Sequence, residues 1–165
     1  MNLRSPTERD GARVWRLLGR TGGLERNTCY AYVLLFSDFG DTCIVAEQDG
    51  ELLGFVLAYR PPARRDELFV WQIGVAPEAR GTGLGTRLLD AALRQPACDG
   101  VMYLTATVSP DNEASRRTFA ALARRRGVPF EIKPRFGSAL FAEPHLDEEQ
   151  VRIGPLHQGQ TSGDH

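Results

Sequence analysis

Residues 68–85 read LFVWQIGVAPEARGTGLG, an apolar run that ends in a turn with three glycines. The run at residues 68–76 is almost unbroken in its apolar character, which is typical of a central strand covered on both faces. Pro77 ends this run, and from Leu84 to Leu93 apolar residues recur at helical spacing. The segment therefore predicts a buried strand, a glycine-rich turn and a helix in direct succession.

The glycine turn is a candidate anion site, because backbone N–H groups converge at a helix start and glycines let an anion approach them closely. A mononucleotide P-loop would continue with Lys and then Ser or Thr, whereas Thr86 and Arg87 follow here. A dinucleotide-binding turn needs G-x-G-x-x-G spacing, which is missing. The pyrophosphate loop of acyl-CoA transferases, R/Q-x-x-G-x-G/A, is satisfied by Arg80, Gly83 and Gly85. A purely structural turn is the alternative.

The rest of the chain mixes helical and strand patterns. Thr7 or Ser5 is expected to cap a first helix, and Asn27 or Thr28 a second. Asp49-Gly50 is a strong hairpin signal. Together these patterns predict an α/β (α+β) architecture with a mixed sheet. The predicted helices are a first one that ends at Gly19 and the Gly22-Gly23 pair, a second at 30–39 and a later one at 112–126. The last of these has Ala114, Phe119, Leu122 and Ala123 on its inner face and ends at Gly127. Strands are predicted at 42–48, 51–60 and 101–108, short strands at 130–133 and 151–153, and a mobile tail at 157–165.

Composition excludes several classes of function. The chain has 165 residues, a formal net charge of -1, 42% hydrophobic and 25% charged residues, which predicts one soluble domain at residues 1–156. The balanced charge gives no reason to expect nucleic acid or an anionic membrane as a partner. No apolar run is long enough for a membrane span or a signal peptide, so we expect a cytoplasmic protein. The three cysteines lack C-x-x-C spacing, and we expect no metal.

The order of elements around the glycine turn resembles the GNAT superfamily of acetyltransferases, from about residue 2 to residue 153. Four segments narrow the resemblance to the diaminobutyrate acetyltransferases of ectoine biosynthesis: NTCYAY at 27–32, FVWQIGV at 69–75, PDNEAS at 110–115 and RIGPL at 152–156. The resemblance implies a GNAT fold, with a central mixed, mostly antiparallel sheet flanked by helices and a splayed strand pair that holds acetyl-CoA. It also implies that a homodimer transfers an acetyl group from acetyl-CoA to the γ-amine of L-2,4-diaminobutyrate.

The same resemblance assigns residues to the acetyl-CoA site. Backbone N–H groups of Ile73, Gly74 and Val75 would bind the thioester carbonyl and stabilise the oxyanion. Asn112 would contact the pantetheine arm. The simpler interpretation is that Asn112 caps the following helix, and one residue can fill both roles. The pyrophosphate would be held by the turn, which consists of Arg80, Gly81, Thr82, Gly83, Leu84, Gly85 and Thr86.

The diamine makes a further demand. A lysine-like γ-amine has a pKa of about 10.4 and an α-amine one of about 8, so intrinsic acidity favours the wrong nitrogen by roughly 3 kcal/mol. Selectivity must therefore come from placement. By resemblance, Glu148 serves the attacking amine, directly or through water, Glu25 anchors the other ammonium, and Trp71 forms a π-rich wall. The simpler interpretation makes Glu25 a solvated loop charge and Trp71 a core residue. The remaining substrate-binding candidates are Asn27, Thr28 and Tyr30 for the carboxylate, and His145, for which an exposed loop position is the simpler interpretation.

Three positions depart from the family pattern. Phe119 stands seven residues after Asn112, where many GNAT enzymes have a tyrosine that protonates the leaving thiolate. Water or another hydroxyl, such as that of Tyr32, would have to replace it, or the thiolate leaves unprotonated. Thr105 stands where glutamate is common, which removes one candidate base. Glu25 stands where aspartate is usual, which lengthens the anchor by one methylene.

Other functions stay open on the residues alone. A GNAT enzyme that acetylates protein amines would need an open groove, whereas the segment at 130–152 is long enough to close over a small substrate. A catalytically silent acyl-CoA sensor would keep the turn without the acidic and aromatic residues. A dinucleotide-binding domain would need an acidic residue about 20 positions after the turn, where none is suitably placed. Close diamine homologues also stay open, because one methylene is worth only about 1–3 kcal/mol of discrimination.

Overall fold

Seven strands and four helices make up residues 1–156, the part of the chain that the computed structural model describes. The strands are β1 (Asn2–Arg4), β2 (Ile44–Gln48), β3 (Glu51–Tyr59), β4 (Glu67–Val75), β5 (Tyr103–Val108), β6 (Phe130–Phe136) and β7 (Glu148–Ile153), and the helices are α1 (Asp10–Thr21), α2 (Cys29–Phe39), α3 (Leu84–Leu93) and α4 (Glu113–Arg126). The tail predicted at 157–165 lies outside the described residues. The single-domain assignment of residues 1–156 stays a prediction.

The strands form one sheet in the order β1-β2-β3-β4-β5-β7-β6. Only β4 and β5 run parallel within the described residues, and every other neighbouring pair is antiparallel. The predicted fold class, a mixed and mostly antiparallel sheet flanked by helices, is confirmed. Helix α1 packs on α2, and α3 packs on α4. No helix in residues 1–156 combines the length and the apolar character that crossing a bilayer would require.

Strand β4 occupies the centre of the sheet, as the apolar run predicts. Leu68 and Val70 are fully covered, with 0% and 3% of their surface exposed. The covering ends at Trp71, which is 40% exposed. The first half of β4 is therefore core, and its second half borders open space.

The open space exists because β4 and β5 separate. Their parallel ladder joins Glu67–Val70 to residues 103–106 and then stops. Beyond it, β4 stays paired with β3, with Gly74 opposite Phe55. Strand β5 stays paired with β7, with Val108 opposite Glu149. The predicted splayed strand pair is present, and the divergence leaves a cleft in the middle of the sheet.

The beginning of the chain differs from its prediction. The sequence gives no signal for β1, a strand of three residues that pairs with β2 more than 40 positions away. The predicted cap of α1 by Thr7 or Ser5 is wrong, because the helix starts at Asp10 after Arg9. Instead, the Thr7 amide donates a hydrogen bond to the Asp10 carboxylate at 2.9 Å. The helix also passes through Gly19 and ends at Gly22.

Later elements are confirmed with changed bounds. Thr28, one of the two predicted caps of α2, accepts a hydrogen bond from the Ala31 amide. The final strands are longer than predicted, because β7 pairs along its length with both β5 and β6. Strand β6 tolerates Pro134 because it lies at the edge of the sheet. Ala114, predicted on the inner face of α4, is exposed instead, whereas the other three predicted members of that face are buried.

Two ionic clusters tie the layers together. The buried Asp10 carboxylate binds Arg4 at 2.8 Å and Arg13 at 2.9 Å, and both arginines also reach Glu47 on β2. On the other side of the sheet, the buried Asp90 of α3 pairs with Arg94, the residue that follows α3, and with Arg126 of α4. The first cluster joins α1 to β1 and β2, and the second joins α3 to α4.

Candidate active site

A cavity of about 430 Å³ lies at the open end of the strand divergence. Four segments contribute to it: the loop between α1 and α2, the second half of β4, the end of β5 with the start of α4, and the segment that leads into β7. We call the first of these, residues 22–28, the substrate loop. The lining residues are Gly23, Leu24, Glu25, Asn27, Trp71, Gln72, Thr107, Val108, Ser109, Asp111, Asn112, Pro144, His145, Leu146 and Glu148.

The cavity gathers five of the predicted substrate residues from three distant parts of the chain. They are Glu25, Asn27, Trp71, His145 and Glu148. Thr28 and Tyr30 do not line it: Thr28 caps α2, and Tyr30 is 70% exposed on that helix. Their predicted contact with the substrate carboxylate is therefore not supported by where this chain places them. Glu25 and His145 are exposed, as the simpler interpretation holds, and they nevertheless face the cavity.

The cavity is acidic. Three carboxylates line it, those of Glu25, Asp111 and Glu148, beside the imidazole of His145. Burial raises the pKa of Glu148, His145 opposes that effect, and the charges of Glu25 and Asp111 add to it. A carboxylate with a raised pKa is a better proton acceptor near neutral pH than an ordinary one. Within residues 1–156, no group of three His, Cys, Asp or Glu side chains is arranged to hold a metal ion.

Aromatic surfaces border the acidic groups. Trp71 lines the cavity while 40% exposed, so the simpler interpretation of it as a core residue does not hold. The imidazole of His145 stacks on Phe141, with ring centroids 3.8 Å apart and planes 12° from parallel. Its Nε2 lies 3.7 Å from Oε1 of Glu148. An alkyl ammonium in this cavity would meet carboxylates and an aromatic ring face.

Tyr32 lies behind the cavity wall, fully buried, and does not line it. Its hydroxyl donates a hydrogen bond to Oε1 of Gln72 at 2.7 Å and accepts one from the backbone N–H of Asn27 at 3.2 Å. Nε2 of Gln72 in turn donates to the carbonyl oxygen of Glu25 at 2.6 Å. The hydroxyl that the sequence nominated as a proton donor is thus part of a chain of hydrogen bonds between β4 and the substrate loop.

The glycine turn opens α3 without a side-chain cap. Gly81 and Gly83 have positive φ angles of 74° and 78°, a conformation that other residues rarely adopt. Gly83 precedes the first helical residue, so the first N–H groups of α3 have no intrahelical partner and remain available to an anion. Thr82 donates its hydroxyl to the Ala79 carbonyl, and Arg80 donates to the Thr21 carbonyl at 2.6 Å. The Thr82 bond is internal to the turn, and the Arg80 bond ties the turn to the end of α1.

Several other residues predicted for the cofactor site also have a structural role, and none of those below is exposed. Gly85 has a packing reason, since a Cβ there would lie 3.0 Å from Cγ2 of Thr118 on α4. Leu84 is buried in the core, so it can offer a ligand only its backbone. Asn112 caps α4 by accepting from the Ser115 amide, and it also lines the cavity. The remaining ones, Ile73, Gly74, Val75 and Thr86, belong to the separated half of β4 and the first turn of α3.

Asp111 and Gln72 are two polar lining residues that the sequence did not identify as part of the site. Asp111 accepts a hydrogen bond from the Ser109 hydroxyl at 2.7 Å and reads in the sequence as an ordinary turn residue. Gln72 offered a signal, because it is a polar residue within an otherwise apolar strand. Gln72 meets the substrate loop, and Asp111 comes near enough to Glu148 to affect its pKa, only in the folded chain. No local sequence pattern around either residue indicates these partners.

Comparison with known proteins adds a family. Residues 12–123 match the model of the acetyltransferase (GNAT) family. The L-2,4-diaminobutyric acid acetyltransferase of Nocardia farcinica is 44% identical over 156 residues, which cover 94% of this chain and 81% of that protein. The enzyme of the same name from Bordetella parapertussis is 45% identical over 157 residues, with 94% and 84% covered.

Solved structures agree with these sequence matches. Diaminobutyrate acetyltransferase EctA from Paenibacillus lautus, in complex with its substrate L-2,4-diaminobutyric acid and coenzyme A, has a TM-score of 0.89 to this chain. It is 40% identical, and the match covers 95% of this chain and 96% of that one. A GNAT-family acetyltransferase structure from Desulfovibrio desulfuricans, 20% identical with a TM-score of 0.74, shares the fold.

Proposed function

The chain belongs to the acetyltransferase (GNAT) family, and from that premise we propose that it transfers the acetyl group of acetyl-CoA to the γ-amine of L-2,4-diaminobutyrate, as in ectoine biosynthesis. The observation that carries this proposal is the acidic cavity at the strand divergence. Its three carboxylates, beside one imidazole, suit a substrate with two ammonium groups and one carboxylate. The acceptor and the thioester would meet where β4 leaves β5.

The chain fits acetyl-CoA in two respects. The separated edge of β4 leaves backbone groups at 71–75 without a β5 partner, and these can bind the amide and thioester groups of a ligand. The glycine turn presents N–H groups at the start of α3, which suits a pyrophosphate. Donation from the backbone near Ile73, Gly74 and Val75 would stabilise the oxyanion that forms when the amine attacks the thioester carbonyl.

Glu148 accepts the proton of the attacking γ-ammonium, directly or through water, in this proposal. The raised pKa of Glu148 supports that role, because proton transfer to it from an ammonium is less unfavourable than to an ordinary carboxylate. Glu25 would hold the α-ammonium from the opposite wall, and Asn27, beside it, would meet the carboxylate. Holding the α-nitrogen away from the thioester offsets its roughly 3 kcal/mol advantage in deprotonation.

Trp71 would form the floor along which the short alkyl chain lies, with the ammonium groups near its ring face. Its exposure of 40% supports this role, since a tryptophan on a central strand is ordinarily covered by protein. A protein N-terminus or lysine as acceptor is the second candidate. The cavity is bordered by the segment at 144–148, which favours a small substrate over an extended chain.

We also propose a homodimer. Helix α2 is apolar nearly all round its circumference, a pattern typical of a covered helix, yet it exposes Tyr30 and Leu34. Leu140 and Leu146 expose further apolar surface in the segment before β7. A second copy seated on α2 would cover the exposed apolar side chains of that helix. Light scattering of the purified protein should give twice the chain mass of 18.3 kDa, and Tyr30→Glu should give a monomer.

A cytoplasmic location is part of the proposal. The three cysteines are all free thiols, and two of them are buried. Free thiols of this kind are typical of a reducing compartment.

The decisive experiment measures thiol release from acetyl-CoA with L-2,4-diaminobutyrate, ornithine, diaminopropionate, lysine and an N-terminal peptide as acceptors. NMR of the product identifies the acetylated nitrogen. We expect diaminobutyrate to be preferred and to carry the acetyl group on Nγ. Glu148→Gln should reduce kcat, and Glu25→Gln should raise the diamine KM. Glu143→Gln, an exposed acid of the same segment that does not line the cavity, is the matched control. Turnover of the peptide alone would replace the small-molecule proposal with the second candidate.

A further inference from the structure

Tyr32 and Gln72 connect the strand that borders the thioester to the loop that carries Glu25 and Asn27. The direction of each hydrogen bond follows from the chemistry of its partner. The Glu25 carbonyl can only accept, so the Gln72 amide must turn its N–H toward it. Oε1 of Gln72 then faces Tyr32 and can only accept, so the phenol must donate its proton there. The phenol oxygen in turn accepts from the backbone N–H of Asn27 at 3.2 Å and from Nδ2 of its side chain at 3.5 Å.

The geometry points to Tyr32 and Gln72 as positioning residues, which hold the substrate loop against β4 so that Glu25 and Asn27 face the diamine. This inference rests on the proposed function and names residues that act within it. Two bonds from the pair reach the loop backbone, at the Glu25 carbonyl and the Asn27 amide, so the loop is held on both sides of residue 26.

A structural reason favours this role for Tyr32 over thiolate protonation. The phenol proton is already given to Gln72, and the side chain has 0% of its surface exposed. Donating that proton to a leaving group would leave Oε1 of Gln72 without its partner, and a buried acceptor without a partner is costly. The ring also packs edge-on against Phe55, 6.4 Å between centroids, which keeps the hydroxyl at its place behind the wall.

The kinetic test uses Tyr32→Phe, Gln72→Leu and the double variant. Each should raise the KM for diaminobutyrate about three- to tenfold, the amount expected when one of the two hydrogen bonds to the loop backbone is lost, and leave the KM for acetyl-CoA unchanged. The double variant should raise this KM for diaminobutyrate further than either single one, because each single variant leaves one of the two bonds to the loop in place. The pH profile of kcat should not move. Tyr59→Phe is the matched control, since its ring packs between Phe39 and Phe69 at a distance from the cavity.

Three results would overturn the inference. A tenfold fall in kcat for Tyr32→Phe, with an altered basic limb of the pH profile, would identify a proton donor. An effect of Gln72→Leu alone would mean that Gln72 contacts the diamine directly. Equal increases in both KM values would indicate general damage to the fold, which thermal melting would register separately.

Amide hydrogen exchange tests the connection without any acceptor. In the free protein, residues 22–28 should exchange about three- to tenfold faster in both variants than in the wild type, and the Asn27 amide should respond most. Unchanged exchange would overturn the inference. Because this measurement needs no turnover, it remains decisive if no diamine is acetylated. If the variants exchange faster but the wild type acetylates no diamine, the positioning role of Tyr32 and Gln72 is supported and only the proposed substrate is contradicted.

Discussion

Replacing Asp10 with asparagine should lower the free energy of unfolding by about 2–3 kcal/mol. The Asp10 carboxylate accepts two hydrogen bonds from Arg4, at 2.8 and 3.0 Å, one from Arg13 at 2.9 Å and one from the Thr7 amide. Its side chain is 3% exposed, and breaking a buried pair from one side costs about 3–5 kcal/mol. Arg4 and Arg13 are about 30% exposed and keep Glu47 as a partner, which places the cost at the low end.

Urea unfolding monitored by circular dichroism measures this loss. The midpoint should fall by about 1–1.5 M and the melting temperature by about 5–10 °C. Asp41→Asn, at an exposed position between α2 and β2, is the matched control and should leave both unchanged. A midpoint shift below about 0.3 M would refute the reasoning, because it would mean that the arginines find equal partners elsewhere.

The same pair of proteins should also differ in pH dependence. Burial alone would raise the pKa of Asp10, but hydrogen bonds from Arg4 and from the Thr7 amide outweigh it and hold the pKa below its ordinary value. A lowered pKa in the folded state contributes stability that is complete above the unfolded pKa of about 3.9 and is lost as pH falls through the folded value. The gap between the wild type and Asp10→Asn should therefore be widest at neutral pH and narrow in acid.

Further predictions concern the site and the thiols. Because Glu148 has a raised pKa, kcat/KM should fall on the acid side at a pH above that of an ordinary glutamate, and Glu148→Gln should abolish this limb of the profile. Gly83→Ala and Gly100→Ala both place a side chain at a positive φ with open space around it, so each should cost about 1 kcal/mol of stability, and only the first should raise the KM for acetyl-CoA. Burial raises the pKa of Cys43 to about 12, so in the native protein a thiol reagent should modify Cys29 alone at an appreciable rate, and three thiols after unfolding.

The elements with a local signature were predictable from the sequence. The apolar run of β4 and the glycines after it identify the strand, the turn and α3 without any knowledge of the neighbours. Thr28 likewise indicates the start of α2, because a capping side chain and the amide it binds lie within one helical turn of each other. Strand β1 has no such signature, because three residues gain their strand conformation only from pairing with β2. The cap predicted at Thr7 or Ser5 failed because the Asp10 side chain binds the Thr7 amide instead, and Asp10 is held there by Arg4, which reaches it only in the folded chain.

The candidate site divides along the same line. Glu25, Trp71 and Glu148 could be proposed from their chemical type and by resemblance, and the fold brings them to one cavity. The connection through Tyr32 could not be proposed, because it depends on a glutamine 40 positions away whose two amide atoms face different partners. Tyr30 was proposed for the site from its chemical type but points outward. It lies two positions before the buried Tyr32, and residues two apart on a helix differ by about 200° in direction.

Because β4 and β5 separate, acetyl-CoA bound between them would stabilise the folded state, so the lifetime of the protein would depend on the concentration of acetyl-CoA. A ligand that binds along the unpaired edge of β4 adds contacts at the point where the two halves of the sheet, joined directly by a four-residue parallel ladder, move apart. A ligand at one hundred times its dissociation constant adds about 2.7 kcal/mol to the stability of the folded state. Cells rich in acetyl-CoA would then keep more of this enzyme folded and beyond the reach of proteases, and starved cells would lose it sooner.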